Sequence, residues 1–161
     1  MSAITALTAQ NTTGVTAIMN VIPDVLGAQI DAVFTDIRPK AVKIGMVSVP
    51  ELIDVIADRL ARYNAENVVL DPVMVATSGA KLISDDAVEV MTGKLFPLAK
   101  LITPNIPETE ALTGISVKSV ADMENAARCI YGKYGCAVLV KGGHSINDAN
   151  DMLFDGENIT W

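Results

Sequence analysis

Short apolar runs at residues 41–44, 67–70, 101–103 and 137–140 alternate with longer stretches that carry helix signals. Apolar runs this short read as strands buried on both faces. Strand and helix in alternation imply a largely parallel sheet covered on both sides, an α/β fold. The chain has 161 residues, enough for one domain with a sizeable core. Half of the residues are hydrophobic, yet only 4% are aromatic, so that core must be built from Ala, Val, Ile, Leu and Met.

Local signals fill in the order of elements. Residues 4–9 and 15–21 read as strands around an Asn11-Thr12-Thr13-Gly14 turn. Pro23 opens a helix whose apolar positions Ile22, Leu26, Ile30, Val33, Phe34 and Ile37 have helical spacing. Ser48-Val49-Pro50-Glu51 has the composition of a capping box, starting a helix to about Tyr63. Ser84 caps a helix through Lys94, and a short helix over residues 105–112 stops near Gly114. Ser119 caps a longer helix to about Tyr134, before Gly135. Residues 152–161 read as a hairpin around Asp155-Gly156.

Charge and missing motifs exclude several functions. The formal net charge is −7 and no Lys/Arg cluster is present, which argues against a nucleic-acid or anionic-membrane partner. No apolar run is long enough to span a bilayer, and Met1-Ser2-Ala3-Ile4-Thr5 lacks the features of a signal peptide. Cys129 and Cys136 have no metal-ligand company and read as buried free thiols, which fits a cytoplasmic protein. There is neither a Gly-x-x-x-x-Gly-Lys-Ser/Thr loop nor a Gly-x-Gly-x-x-Gly turn. His144, the single histidine after a Gly-Gly turn, reads as a surface residue.

In parallel sheets ligands bind beyond the carboxyl ends of the strands. That rule selects Gln10, Met46, residues 71–74, residues 103–108 and residues 141–143. Asp71 closes an apolar strand, where a carboxylate is costly unless it is paired or near a cation. Asn105 and Glu108 stand three apart at a helix start, so their side chains share one face. That pair could ligate a cation through oxygen or simply cap the helix. Lys141, before Gly142-Gly143, could meet an anion or lead, solvated, into a turn. Gln10 offers a donor and an acceptor side by side, for a ligand or for water.

Five stretches, in order, carry a resemblance: TALTAQNTTGV at 5–15, VKIGM at 42–46, VVLDPVM at 68–74, LITPNIPETEAL at 101–112 and VLVKGGH at 138–144. Together they resemble the hydroxymethylpyrimidine kinase/phosphomethylpyrimidine kinase branch of the ribokinase-like family. The resemblance covers essentially the whole chain. It implies a ribokinase-like three-layer α/β/α sandwich with a mostly parallel central sheet. The implied substrate is a small pyrimidine bound by Gln10, Met46 and Val73, and the implied cofactors are ATP and Mg2+. Asp71, Asn105, Glu108 and Lys141 would serve the nucleotide, with Asp71 and Glu108 reaching the metal through water. A homodimer is within the family's range of assemblies.

Two departures follow from the same resemblance. The family begins with an earlier strand and a Gly-rich stretch bearing a substrate-binding aspartate, which nothing before Met1 supplies. It ends with a Gly-Thr-Gly turn holding the transferring phosphate and the catalytic base, expected downstream of Trp161. Residues 1–161 are therefore expected to form a single ribokinase-like domain, truncated at both ends and inactive alone. The alternatives are a pyridoxal or pyridoxine kinase of the same branch and a non-catalytic ligand-binding remnant. Strand–helix alternation alone would also permit a flavodoxin-like or receiver-type domain, but the Asn-x-x-Glu and AQNT stretches argue against it.

Overall fold

Short, largely apolar strands side by side define the centre of the molecule. The computed structural model describes residues 1–74, 83–143 and 150–161. Val42–Ile44 (β3), Val68–Leu70 (β4), Leu101–Ile102 (β5) and Ala137–Val140 (β6) pair in parallel, in that spatial order. Met152–Phe154 (β7) and Ile159–Thr160 (β8) extend the sheet antiparallel, giving six strands in sequence order. The connections between parallel strands carry Pro50–Arg62 (α2), Asp85–Val90 (α3), and the pair Ile106–Thr113 (α4) and Val120–Tyr134 (α5). Pro23–Asp36 (α1) packs on α2, which also packs on α3, while α4 packs on α5. Two separate groups of helices suit a sheet whose strands are apolar on both sides. Leu52, Ile53, Leu70, Phe96, Ile102 and Met123 lie at the core and are almost wholly buried.

The first two strands depart from the expected alternation. Ala6–Asn11 (β1) and Gly14–Asn20 (β2) form their own antiparallel ribbon, apart from the six-stranded sheet. Ala9 pairs with Ala17 and Gln10 with Val15, so a bulge interrupts the ribbon there. Asn11 closes the turn by accepting from the Thr13 and Gly14 N–H groups. Gln10 therefore does not end a main-sheet strand. The segment before the ribbon is held to the body, because Ile4 and the Gln29 side chain exchange two hydrogen bonds.

Three further expectations need correction. The capping box at Ser48 does not form: Val49 is the N-cap of α2 and no side chain caps it. The helix starts one residue late for the motif, so Ser48 precedes the cap and Glu51 falls one place short of the third helical position. The helix from Ser84 is capped as expected, but α3 ends at Val90 and continues as a π turn, Met91–Leu95, then a 3-10 turn, Phe96–Leu98. The Thr92 hydroxyl donates back to the Val88 carbonyl, a bond that competes with the regular ladder. Cys136 is buried, but Cys129 is exposed, because Ala126, Ala127 and Ile130 define the inward face of α5 and position 129 falls outside it.

Other local signals hold. Ser119 accepts from the Asp122 N–H, and Gly114 and Gly135 end their helices in the left-handed conformation. Asp155 turns the final hairpin by accepting from the Glu157 and Asn158 N–H groups. No helix among the described residues is long and apolar enough to cross a membrane.

Candidate active site

The start of α4 builds the first half of the site. Asn105 is the N-cap, and its side chain accepts from the Glu108 N–H at 2.8 Å. Glu108 returns the bond: its Oε2 accepts from the Asn105 N–H at 2.8 Å. The pair is a complete capping box. Glu108 also reaches beyond its helix, where Oε1 accepts from the Met74 N–H at 3.3 Å and ties down the loop after β4. The side chain is almost fully buried, at 2% exposure. Burial pushes its carboxyl above the ordinary range, although the two N–H donors and Lys141 oppose that shift. Thr109 beneath it is also buried, and its hydroxyl donates to the Asn105 carbonyl.

The second half comes from β4 and β6. The Asp71 N–H donates to the Ile44 carbonyl, which fixes the end of β4 against β3. Lys141 follows β6, and its N–H donates to the Pro104 carbonyl; residues 105 and 141 form a parallel bridge. The Lys141 Nζ then reaches Asp71 Oδ1 at 2.8 Å, across 70 positions of sequence. Gly142 turns the chain next, its N–H donating to Asp151. A Cβ at Gly142 would stand 2.0 Å from the Asn150 carbonyl oxygen, so the close approach requires glycine.

Asp71, Asn105, Glu108 and Lys141, selected by sequence, thus meet at the carboxyl ends of β4, β5 and β6. Sequence reasoning missed one neighbour. Lys43, on β3, places its Nζ 3.8 Å from Asp71 Oδ2. A single charged residue inside the apolar VKIGM run was the available signal.

The three expected pyrimidine contacts lie on three separate segments of the chain. Val73 lies in the loop after β4, half-buried, while Gln10 stands exposed on the β1–β2 ribbon. Met46 accepts at its carbonyl from the Thr5 hydroxyl and lines a cleft of about 540 Å3. That cleft runs beside β3, between Leu26 and Phe34 of α1 and Ile56 of α2. It contains none of Asp71, Asn105, Glu108 and Lys141, although Lys43, the neighbour of Asp71, lines it. His144 lies outside the described residues.

The chain as a whole has relatives among known proteins. The sequence model of the family described as phosphomethylpyrimidine kinase matches residues 1–161. The chain belongs to that family. Among its relatives, a hydroxymethylpyrimidine/phosphomethylpyrimidine kinase of Rhizobium meliloti is 49% identical over 98% of this chain and 60% of its own length. The crystal structure of a phosphomethylpyrimidine kinase from Clostridium difficile is 46% identical and superimposes with a TM-score of 0.93, covering 99% of this chain and 69% of that one. A pyridoxal kinase from Staphylococcus aureus, solved with AMP-PCP and pyridoxal, is more distant: 30% identity and a TM-score of 0.81, over 98% of this chain and 57% of that one. The chain spans about three fifths of the length of the curated kinases it matches, 60% for the Rhizobium protein and 58% for one from Bacillus subtilis. These likenesses establish the ribokinase-like α/β fold, and with it the parallel order of β3 to β6.

Proposed function

We propose that the chain forms part of an ATP-dependent kinase that phosphorylates 4-amino-5-hydroxymethyl-2-methylpyrimidine and then its monophosphate, in thiamine biosynthesis. One observation carries the proposal. In a chain that matches the phosphomethylpyrimidine kinase family from end to end, Asp71, Asn105, Glu108 and Lys141 converge at the carboxyl ends of parallel strands.

The chemistry available to each group follows from its partners. Transfer forms a bond between the hydroxymethyl oxygen and the γ-phosphorus, breaks the bond to the β-phosphate and releases ADP. Positioning and charge stabilisation dominate such a step. Lys141 supplies a cation beside the glycine turn, where backbone can approach phosphate closely. Both oxygens of Glu108 already accept main-chain N–H groups, and Asp71 faces two lysines. Neither carboxylate is therefore assigned as the base that takes the hydroxyl proton. The base is placed outside this group of residues.

The same engagement decides how a metal would be held. Among the described residues no cluster of three or more His, Cys, Asp or Glu side chains could chelate an ion. Magnesium keeps several waters and takes one or two carboxylates together with substrate phosphates. That sparse requirement fits Asp71 and Glu108 acting through water. Bound Mg2+ would neutralise charge on the phosphates. The pyrimidine is assigned to Gln10, whose amide complements an aminopyrimidine edge, with Met46 and Val73 as apolar contacts. Two cysteines without a disulfide fit a protein of the cytoplasm; its partners are the small pyrimidine and ATP, and a homodimer is compatible with this reading.

The likeness to pyridoxal kinases supports a second reading, in which the alcohol is pyridoxal. The test is turnover by the full-length gene product with ATP and each alcohol separately. Higher kcat/KM for the pyrimidine supports the proposal, and preference for pyridoxal replaces it with the second reading. Pyrimidine binding without turnover identifies a non-catalytic remnant.

A further inference from the structure

We propose that Asp151 is a positioning residue for the nucleotide: it fixes the peptide plane that follows Lys141 and so aims that lysine at the phosphates. This rests on the kinase reading above, in which Lys141 meets the phosphates. The direction of a side chain is set by the two peptide planes that flank its Cα. At Lys141 both planes are pinned. The Lys141 N–H donates to the Pro104 carbonyl at 2.8 Å, which ties the plane before it to the chain after β5. The Gly142 N–H donates to Asp151 Oδ1 at 3.0 Å, which ties the plane after it to the residue before β7. The first bond is main chain to main chain, whereas the second depends on one side chain.

The place of Asp151 in the sheet suits this role. Val140 pairs with Met152, so Asp151 stands opposite Lys141 just beyond the last pair of the β6–β7 ladder. Met152 and Phe154 are buried, which fixes the strand that delivers the carboxylate. Although an acid and a lysine are neighbours across the ladder, Lys141 Nζ goes to Asp71 Oδ1 at 2.8 Å and Asp151 takes the N–H of the next residue. The carboxylate thus acts on the backbone and leaves the ammonium turned towards the polar site. The bond matters most at this position, because a glycine peptide is freer to rotate than any other once its acceptor is lost. Charge alone predicts the opposite effect, since a carboxylate near bound ATP repels its phosphates. Positioning and repulsion therefore differ in sign when Asp151 is truncated.

A double-mutant cycle in the full-length gene product tests this. D151A, D151N, K141M and D151A/K141M are compared for ATP Kd, by displacement of a fluorescent nucleotide, and for pyrimidine Kd, by calorimetry. D151A should weaken ATP binding about fivefold, the weight of one ordinary hydrogen bond. D151N keeps an acceptor oxygen without the charge and should bind ATP at least as tightly as wild type. Pyrimidine affinity should stay unchanged in both, which shows the fold intact. In the K141M background, adding D151A should change ATP affinity little, because no ammonium remains to be aimed. If D151A does not fold, D151S, with its shorter side chain, takes its place with the same expectation. ATP affinity in D151A equal to or above that of wild type would overturn the proposal, and so would equal losses in D151A and D151N. In either case ATP binding by wild type leaves the kinase reading standing. An equal loss from D151A with and without Lys141 would overturn the proposal too. Wild-type protein that binds no ATP removes the kinase reading and the proposal with it.

Discussion

Replacing Glu108 by alanine removes a side chain that joins the start of α4 to the loop after β4. The Asn105 and Met74 N–H groups would both lose their acceptor. Met74 is 3% exposed, so water cannot readily replace the bond there. A buried donor left unsatisfied costs about 1–3 kcal/mol, and loss of a carboxylate at a helix N-terminus costs about 0.3–1 kcal/mol. Relief of the buried charge offsets part of this, which leaves a net loss of about 2–3 kcal/mol. For a protein of this size that lowers Tm by about 4–12 °C. Thermal unfolding of E108A followed by circular dichroism measures it, with E108Q, which keeps one acceptor oxygen, losing less. A Tm for E108A within about 2 °C of wild type would refute the reasoning, since even one stranded donor costs more. The pH dependence gives a second check. Burial raises the folded-state pKa of Glu108 above the unfolded value. The folded chain therefore binds the proton more tightly, and this contribution is complete below about pH 4.3 and lost as pH rises through the folded value. The stability advantage of wild type over E108Q should shrink over that rise.

Other perturbations follow from the same structure. Gly156 has φ +106°, and a Cβ there would stand 2.3 Å from the Tyr131 ring, which packs edge-on against Phe154. Gly156→Ala should cost about 2–4 kcal/mol in urea unfolding, from backbone strain and overpacking together. Gly142→Ala should displace Lys141 through its contact with the Asn150 carbonyl and weaken ATP binding, read by nucleotide displacement, without changing affinity for the alcohol. Asp31 is held below the ordinary carboxylate range, first by the Tyr63 hydroxyl and then by Arg59. Its contribution is present above about pH 3.9 and is lost as pH falls through the lowered folded value, so Asp31→Asn should flatten the acid limb of a stability–pH curve. Gln10→Ala should raise KM for the pyrimidine and leave KM for ATP unchanged, by steady-state kinetics.

Much of this protein is written in short stretches of chain. The strands at 42–44, 68–70 and 137–140 follow from local apolar runs, and the caps at Ser84, Asn105 and Ser119 from single polar residues before a helix. Such signals act within a turn or two, so neighbours in sequence suffice to read them. Asp71, Asn105, Glu108 and Lys141 were legible for a related reason: each is a polar residue just after an apolar strand or at the start of a helix. The capping box misread at Ser48 marks the limit, because a one-residue shift in the helix start removes the motif. The ribbon of β1 and β2 looked locally like two more strands of the sheet, and only packing set it apart. The same holds for the contacts that make the site a unit. Lys141 meets Asp71, Glu108 meets the Met74 N–H, and Lys43 faces Asp71, in each case across a strand or more. Those distances depend on which strands lie side by side. Strand order is fixed by burial of the whole core, which no local window contains.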